Sequence, residues 1–277
     1  MKADLPHTGA CVELALLDGG SFVGDLSRMH AGESGTFRMY NWAFYISHQG
    51  RHFLWDLGLD EVREPRAKGI IRVFSNHAHW DHSRPISHVF PNAKAYFGPG
   101  TRAACQPGHM KDPSLQWDGR FFDPEHSTEK WDELQGEWKS FGPFERALDY
   151  FGDGSFWILD APGHMPGNVA AAARLQDGEW VMLGSDCCHS RDLLDGMREI
   201  AEFQGPGAVS MSLHTDLASA KDTIAKIRLL ETNFGVHTAL AHDASWLKKG
   251  TDQVLMSLLD NKMRVAAKEK IPYDEIP

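Results

Sequence analysis

Residues 77–82 read HAHWDH, which places three imidazoles and one carboxylate within six positions. They follow Ile70–Phe74, an apolar run that predicts a buried strand. Side chains two positions apart on an extended chain point to the same side, so His77 and His79 can bind one metal ion. Asp81 and His82 then point elsewhere and can hold a second ion. Imidazole and carboxylate are typical ligands of zinc and of neighbouring transition metals.

Three more side chains that could bind metal follow apolar runs later in the chain. His164 lies in the turn PGHMPG, Asp186 comes after the run 179–183, and His242 comes after the run 236–240. A lone histidine or aspartate at such a place is more often a packing residue. Three of them in this order after HAHWDH favour a shared metal site.

The rest of the sequence indicates strands mixed with helices in both halves, and hence two sheets with helices outside. Strands are predicted at 12–17, 39–47, 51–55, 70–74, 94–97, 155–159, 169–175, 179–183 and 236–240. We expect a turn at Asp18-Gly19-Gly20 and an amphipathic helix over 216–230. A closing helix is predicted over 252–267.

Composition limits the class of protein and its partners. A chain of 277 residues is long enough for one domain covering residues 1–277. The formal net charge of −10 disfavours nucleic acid as a partner, because such binding draws on clustered basic residues. The four cysteines form no disulfide pattern, and the N-terminus has no signal-peptide core, so we expect a cytoplasmic protein. No apolar run is long enough to span a membrane.

The segment 106–139 fits no regular element. It combines three prolines with several aromatic residues, which argue against disorder. We interpret it as a partly helical, cap-like insertion over the site, and a peripheral packing insertion is the alternative. If it is a cap, its aromatic residues would contact an apolar substrate. These candidate substrate contacts are Trp117, Phe121, Phe122, Trp131 and Trp138.

The HAHWDH run, the PGHMPG turn, Asp186 and His242 together resemble the metallo-β-lactamase superfamily, and Asp56-Leu57-Gly58 resembles its early Asp-x-Gly turn. The resemblance implies an α/β (α+β) fold, a four-layer αββα sandwich with a metal site at one edge of two mixed sheets. It also implies two divalent metal ions, with zinc as first choice and iron, manganese or cobalt as alternatives. The implied ligands are His77, His79 and His164 for one ion, Asp81, His82 and His242 for the other, and Asp186 as the bridge.

Within that superfamily, the complete ligand set is most similar to the lactonases that open N-acyl homoserine lactones. Those enzymes usually have a tyrosine three residues after the bridging aspartate, where this chain has His189. They also usually have glycines after the histidine run, where this chain has Ser83-Arg84-Pro85. The resemblance therefore implies a hydrolase of a small cyclic ester, and these departures leave its substrate open.

Several alternatives remain on the same fold. A lactam or cyclic-carbamate amidase is the second choice, because an amide nitrogen needs a proton donor when it leaves and His189 could supply the proton. A second-shell or packing role for His189 is the competing interpretation. A thioesterase of the glyoxalase II type comes third. A persulfide dioxygenase would bind a single iron, and the complete second ligand set weighs against it.

Metal chemistry predicts the mechanism. Two ions about 3.5–4 Å apart can share a water and lower its pKa to about 7, which creates a hydroxide nucleophile at neutral pH. Asp81 could carry a proton in addition to His189. Other histidines are expected to be surface residues by default, including His30 and His48, whereas His214 could cap a helix or line the pocket. A homodimer is compatible with this sequence.

Overall fold

The structure, a computed structural model, describes residues 4–59, 69–260 and 263–264. In this part of the chain the main strands form two six-stranded sheets. The first sheet contains, from edge to edge, β1 (Glu13–Asp25), β2 (Thr36–His48), β3 (Arg51–Trp55), β4 (Ile70–Phe74), β5 (Lys94–Phe97) and β6 (Trp131–Glu133). The second contains β14 (His237–Leu240), β11 (Trp180–Ser185), β10 (Val169–Arg174), β9 (Phe156–Asp160), β8 (Phe144–Asp149) and β7 (Trp138–Phe141).

One long helix, several short helices and a small ribbon accompany the two sheets. The ribbon pairs β12 (Phe203–Gln204) with β13 (Ser210–Met211). The helices are α1 (Leu26–Met29), α2 (Thr101–Cys105), α3 (Gly119–Phe122), α4 (Arg191–Asp195), α5 (Leu217–Phe234), α6 (Ser245–Lys249) and α7 (Gln253–Ser257). None of the helices in the described ranges combines the length and the apolar character needed to cross a bilayer.

Both sheets are mixed, as the sequence predicts. In the first sheet β1, β2 and β3 run antiparallel, whereas β3 to β6 run parallel. In the second sheet β11 and β14 are parallel and the other neighbours are antiparallel. Parallel neighbours end at the same edge of a sheet, so the loops after β3, β4, β11 and β14 can bring their side chains together.

Three apolar clusters show how the layers pack. The cluster between the sheets joins residues such as Trp55 and Phe74 of the first sheet to Phe156 and Val181 of the second. A second cluster packs the outer face of the second sheet on α5, and a third packs the outer face of the first sheet on the segment around α2 and α3. The predicted αββα sandwich is therefore confirmed.

Strand β10 packs one face against the cluster between the sheets and the other face against the cluster under α5. Side chains alternate across a strand, and Val169, Ala171 and Ala173 face the cluster between the sheets. Ala170 and Ala172 face the cluster under α5. Both faces of the strand are buried, which explains an apolar run without polar alternation.

The predicted turn at Asp18-Gly19-Gly20 is wrong: these residues form a bulge within the long strand β1, where the register with β2 shifts. A Cβ atom on Gly19 would lie 2.3 Å from the carbonyl oxygen of Asn41 and 2.9 Å from Cα of Gly58. The glycine therefore allows the bulge to pack closely against the turn that follows Asp56.

The segment 106–139 is only partly the insertion that we predicted. It contains α3, but its later residues form β6 at the edge of the first sheet and the start of β7 at the edge of the second. The predicted helix over 216–230 is confirmed as α5, with Asp216 as its N-cap. The predicted closing helix over 252–267 begins as α7, and most of its later part lies outside the described residues.

Candidate metal centre

The predicted ligands meet at one edge of the two sheets because each follows the end of a strand. His77 comes three residues after β4, Asp186 follows β11 directly, and His242 comes two residues after β14. His164 lies in the loop between β9 and β10. Ser185, the residue before Asp186, has a φ of 52°, a left-handed conformation that costs free energy in a non-glycine residue. Such strain is often found where a side chain is aimed into a site.

The first ligand group consists of His77, His79, His164 and Asp186, whose ligand atoms all lie within 4.8 Å of one another. Nδ1 of His79 is 3.0 Å from Nε2 of His77 and 2.9 Å from Nε2 of His164. Three imidazole nitrogens that face one another in this way can share an ion. His79 is half-buried and the other three residues are buried, so the group is reached from the side of His79.

The second ligand group consists of Asp81, His82 and His242, and all three residues are buried. Nε2 of His82 lies 3.4 Å from Nε2 of His242 and 3.4 Å from Oδ2 of Asp81. Nε2 of His242 lies 3.6 Å from the same carboxylate oxygen. The group offers two imidazoles and one carboxylate to a second ion.

Asp186 lies between the two groups. Its Oδ1 is 3.2 Å from Nε2 of His82 and 3.1 Å from Nε2 of His242. Its Oδ2 is 3.5 Å from Nε2 of His164 and 3.8 Å from Nε2 of His77. Oδ1 is buried and makes no hydrogen bond within the described ranges, although a buried carboxylate oxygen without a partner is costly. This unpartnered oxygen among imidazole nitrogens fits a pair of metal ions.

Buried polar groups hold several ligands from behind. Nδ1 of His82 lies 3.0 Å from Oδ2 of Asp56, the carboxylate of the early Asp-x-Gly turn. Nδ1 of His242 donates to the carbonyl oxygen of Tyr40 at 2.6 Å. Nδ2 of Asn41 donates to the side chain and the backbone carbonyl of Asp81, at 3.2 Å in each case. Such outer contacts fix the orientation of a metal ligand.

The electrostatics of the two groups differ. Burial disfavours a charged His82, but the carboxylates of Asp186, Asp81 and Asp56 outweigh it and raise its pKa well above the usual value. The pKa of His242 is also raised, since Asp186 and Asp81 outweigh burial. In the first group, burial lowers the pKa of His77 and of His164 well below the usual value.

Three aromatic residues lie beside the two ligand groups, and one of them, Trp117, is among the predicted substrate contacts. The ring of Trp117 stacks on His79 of the first group with centroids 5.6 Å apart. Trp80 is 62% exposed and its ring lies 5.3 Å from that of Phe22, which also contacts His242 at 5.9 Å. We call Phe22, Trp80 and Trp117 the aromatic mouth.

The other four predicted substrate contacts are wrong. Phe121, Phe122 and Trp131 are buried in the cluster outside the first sheet, where they pack on Phe97. Trp138 packs at the edge of the second sheet, with the guanidinium of Arg146 5.2 Å from the centre of its ring. These side chains stabilise the fold because their apolar surface is used against the sheets. Trp80 could have been found from its position inside the HAHWDH run.

Two further histidines lie beside the first group. Nε2 of His189 is 3.4 Å from Oδ2 of Asp186, so this residue faces the site. His214 is buried, with its ring centroid 4.9 Å from that of His189 and 5.3 Å from that of His164. Burial, helped by the nearby His189, lowers the pKa of His214 to about 3.

The expected surface positions of His30 and His48 are wrong, since both residues are buried. Nε2 of His30 bonds the hydroxyl of Ser190 at 2.8 Å, and Nε2 of His48 bonds Asp153 at 2.7 Å. Sequence reasoning missed these partners because they come from distant parts of the chain. Cys187 and Cys188 are buried, and burial raises the pKa of both thiols, which fits packing residues.

Sequence comparisons connect the chain to metallo-hydrolases, although no family model matches it. It is 27% identical to the metallo-hydrolase mfmC of Annulohypoxylon moriforme, over 74% of this chain and 70% of that protein. It is 28% identical to the cytochrome P450 monooxygenase mpaDE' of Penicillium brevicompactum, over 87% of this chain and 34% of that protein. The chain thus spans about a third of that longer relative. The γ-lactamase FDB1 of Fusarium pseudograminearum is 29% identical over 44% of this chain and 30% of its own length.

Solved structures share the fold. A quorum-quenching N-acyl homoserine lactone lactonase superposes with a TM-score of 0.62 at 14% identity, over 90% of this chain and 97% of that chain. The dizinc quorum-quenching lactonase AidC superposes with a TM-score of 0.57 at 17% identity, over 88% of this chain and 90% of that chain. Fold, ligand groups and relatives together identify the chain as a metallo-β-lactamase-fold protein related to metal-dependent hydrolases.

Proposed function

We propose that this chain is a hydrolase that binds two divalent metal ions and opens a cyclic ester with an apolar substituent. The observation that carries the proposal is the position of Asp186, whose carboxylate lies against ligand nitrogens of both groups: Oδ1 is beside His82 and His242, and Oδ2 is beside His242 and His164. In this proposal His77, His79 and His164 hold the first ion, and Asp81, His82 and His242 hold the second. Zinc is the first choice, and iron, manganese or cobalt suit the same ligands.

Each residue near the ions has a proposed task. Two ions bound here would supply a hydroxide nucleophile at neutral pH and a Lewis acid for the substrate carbonyl. Asp186 bridges the two groups, and Asn41 keeps the carboxylate of Asp81 in place through its amide. Asp56 and the carbonyl of Tyr40 orient His82 and His242 from behind.

Proton transfer to the leaving group is assigned to His189, with Asp81 as a second carrier. His189 holds its Nε2 3.4 Å from Asp186, next to the ligand nitrogens. An alcohol leaves readily from an ester, so the lactone reaction makes modest demands on this donor. A leaving amide nitrogen would depend on it much more.

The aromatic mouth supports an apolar substituent on the substrate. Trp80 is exposed and Phe22 and Trp117 are partly buried, so all three can cover an apolar chain or ring at the half-buried His79. Buried aromatic surface is the usual means by which small-molecule sites hold such groups.

A lactam or cyclic-carbamate amidase is the second candidate. Two observations favour it, the histidine at position 189 beside the ligands and the similarity to a γ-lactamase over part of the chain. The complete second ligand group speaks against a dioxygenase with one iron. For the thioesterase of the glyoxalase II type we have no specific observation.

A substrate panel tests the proposal. The metal-loaded protein is offered γ-lactones of increasing acyl length, lactams and bicyclic carbamates, and product mass is followed with and without a chelator. We expect chelator-sensitive gain of one water on the lactones, with faster turnover for longer acyl groups. Gain of water on lactams or carbamates alone would replace the lactonase by the amidase. A metal-loaded protein that turns over none of these substrates would contradict both.

Location and assembly remain proposals. The four cysteines are free in the structure, which suits the reducing cytoplasm that the sequence leads us to expect. The proposed partner is a small-molecule substrate, and a homodimer is compatible with the chain. Size-exclusion chromatography with light scattering would give the assembly state directly.

A further inference from the structure

The outer ring nitrogens of three of the five proposed ligand histidines are held by buried partners. When one nitrogen of an imidazole binds a metal ion, the other usually donates to a carboxylate, a carbonyl or another acceptor. His82 has Asp56, His242 has the carbonyl of Tyr40, and Nδ1 of His77 bonds the side-chain oxygen of Asn76. His79 is half-buried, whereas the other four ligand histidines are buried.

His164 differs from the other buried ligand histidines. Its Nδ1 is buried and has no hydrogen-bond partner among the residues that the structure describes. Beside it lies His214, whose Nδ1 and Nε2 are both buried and also have no partner. The two rings are perpendicular, at 82°, with centroids 5.3 Å apart. A neutral imidazole offers one donor and one acceptor, so the two residues have complementary needs.

The backbone keeps these two residues together. The amide of Thr215 donates to the carbonyl of His164 at 2.9 Å, and the amide of Asp216 donates to that of Gly163 at 2.9 Å. A Cβ atom on Gly163 would lie 2.3 Å from the backbone nitrogen of Ala220, so only glycine allows α5 to pack this closely. The segment that carries His214 is therefore fixed to the turn that carries His164.

We propose that His214 is a positioning residue: in the metal-bound protein it accepts a hydrogen bond from Nδ1 of His164 and so orients Nε2 of His164 towards the first ion. A small rotation of the rings is enough, because ring nitrogens lie off the centroids and an N–H···N bond needs about 3 Å. The ring of His189 also lies beside that of His214, with centroids 4.9 Å apart, and Nε2 of His189 is 3.4 Å from Oδ2 of Asp186. This inference rests on the metal binding proposed above.

Metal affinity of the full-length chain tests the inference without any substrate. Chelator-stripped wild type, His214→Phe, His214→Asn and His214→Gln are titrated with zinc against a competing chelator. We expect His214→Phe to bind one of two ions about 10–100-fold more weakly, since loss of an outer partner has effects of this size. Asn or Gln should restore most of the affinity, because an amide oxygen can accept the bond. His48→Phe, another buried histidine, should bind both ions like wild type.

Nitrogen NMR of the wild type gives a second reading that does not depend on the folding of a variant. In zinc-loaded protein with ¹⁵N-labelled histidine, we expect a slowly exchanging imidazole proton on His164 that couples to a nitrogen of His214. Two zinc ions bound with no such coupling, or unchanged zinc affinity in folded His214→Phe, would overturn this inference alone. A wild-type chain that binds no zinc would overturn the proposed metal site together with it.

Discussion

The two ligand groups meet at Asp186 but are built differently. The second group, Asp81, His82 and His242, is fully buried and has polar partners behind it. The first group contains the half-buried His79, on which Trp117 stacks, and the outer nitrogen of its His164 has no hydrogen-bond partner in the described part of the chain. Carboxylates raise the pKa of the second group's histidines, whereas burial lowers the pKa of His77 and His164.

This difference suggests a division of labour. The histidines of the second group face carboxylates that raise their pKa, and polar partners hold them from behind. The pKa values of His77 and His164 in the first group are lowered, and this group also contains the half-buried His79. We therefore expect the second group to serve as the fixed part of the site and the first as the part that meets the substrate.

The largest effect is expected where the two groups meet. Asp186→Asn keeps the shape of the side chain but removes the charge that both groups share. We expect at least one ion to be lost and activity to fall about a thousandfold, because an ion contributes several kcal/mol to the transition state. Metal content by mass spectrometry and lactone turnover check this. Asp123→Asn, at a buried aspartate outside the site, is the matched control and should keep both ions and full activity. An Asp186→Asn protein that binds two ions and has near-normal activity would contradict the bridging role of Asp186.

Asp56→Asn should separate the two groups. Asp56 contacts His82 of the second group, and Asn tolerates its left-handed backbone, with a φ of 61°. We expect the second ion to bind about 10–100-fold more weakly and the first to be affected less, because Asp56 reaches the first group indirectly, through Asn76, which bonds both Asp56 and His77. Competition titration with zinc measures both affinities. An equal loss of affinity for both ions, or no loss for either, would be inconsistent with Asp56 acting mainly as the outer partner of the second group.

The pH dependence of zinc binding should also differ between the two ligand groups. The pKa values of His82 and His242 are raised, so these histidines keep their protons to a higher pH than those of the first group, and an ion must displace any proton that is bound. His77 and His164 have lowered pKa values and are uncharged at neutral pH. Across about pH 6–8, we expect the affinity of the second group to fall as pH falls, about tenfold per pH unit for each displaced proton. The zinc affinity of the first group should change little over the same pH range. If competition titrations gave both groups the same dependence of affinity on pH, this predicted difference between them would be refuted.

The smallest effect is expected at the aromatic mouth. Trp80→Ala removes an exposed ring without touching a ligand atom, so both ions and kcat should be retained. We expect KM for long-chain lactones to rise about three- to tenfold, since an aromatic contact contributes about 0.5–1.5 kcal/mol. Leu229→Ala, at an exposed side chain on α5, is the control. An unchanged KM in Trp80→Ala would place the substrate elsewhere.

The ligand residues could be predicted because their positions follow a local rule. Each lies shortly after an apolar run, and the ends of neighbouring strands meet at one edge of the sheets. His77, His79 and Asp81 were recognisable within six residues, and His164 was marked by its turn of prolines and glycines. Their convergence in the structure agrees with the predicted grouping, and metal binding by them remains a prediction.

The surroundings of the site could not be predicted, because they depend on contacts between distant segments. Phe121 and Trp80 are both aromatic residues for which the sequence predicts no regular element, yet Phe121 is buried outside the first sheet and Trp80 is exposed beside Phe22. His30 and His214 gain their neighbours only when α1 and α5 pack beside the loops of the second sheet. Composition and spacing contain no signal for such contacts.

Stoichiometric zinc titration of the chelator-stripped chain, with lactone turnover recorded at each step, tests the two-ion site most directly. We predict two ions bound per chain, in two distinguishable steps, with full activity only after the second ion. Activity that persists in chelator, or turnover that is complete with one equivalent of zinc, would contradict a site built around Asp186 and its two ligand groups.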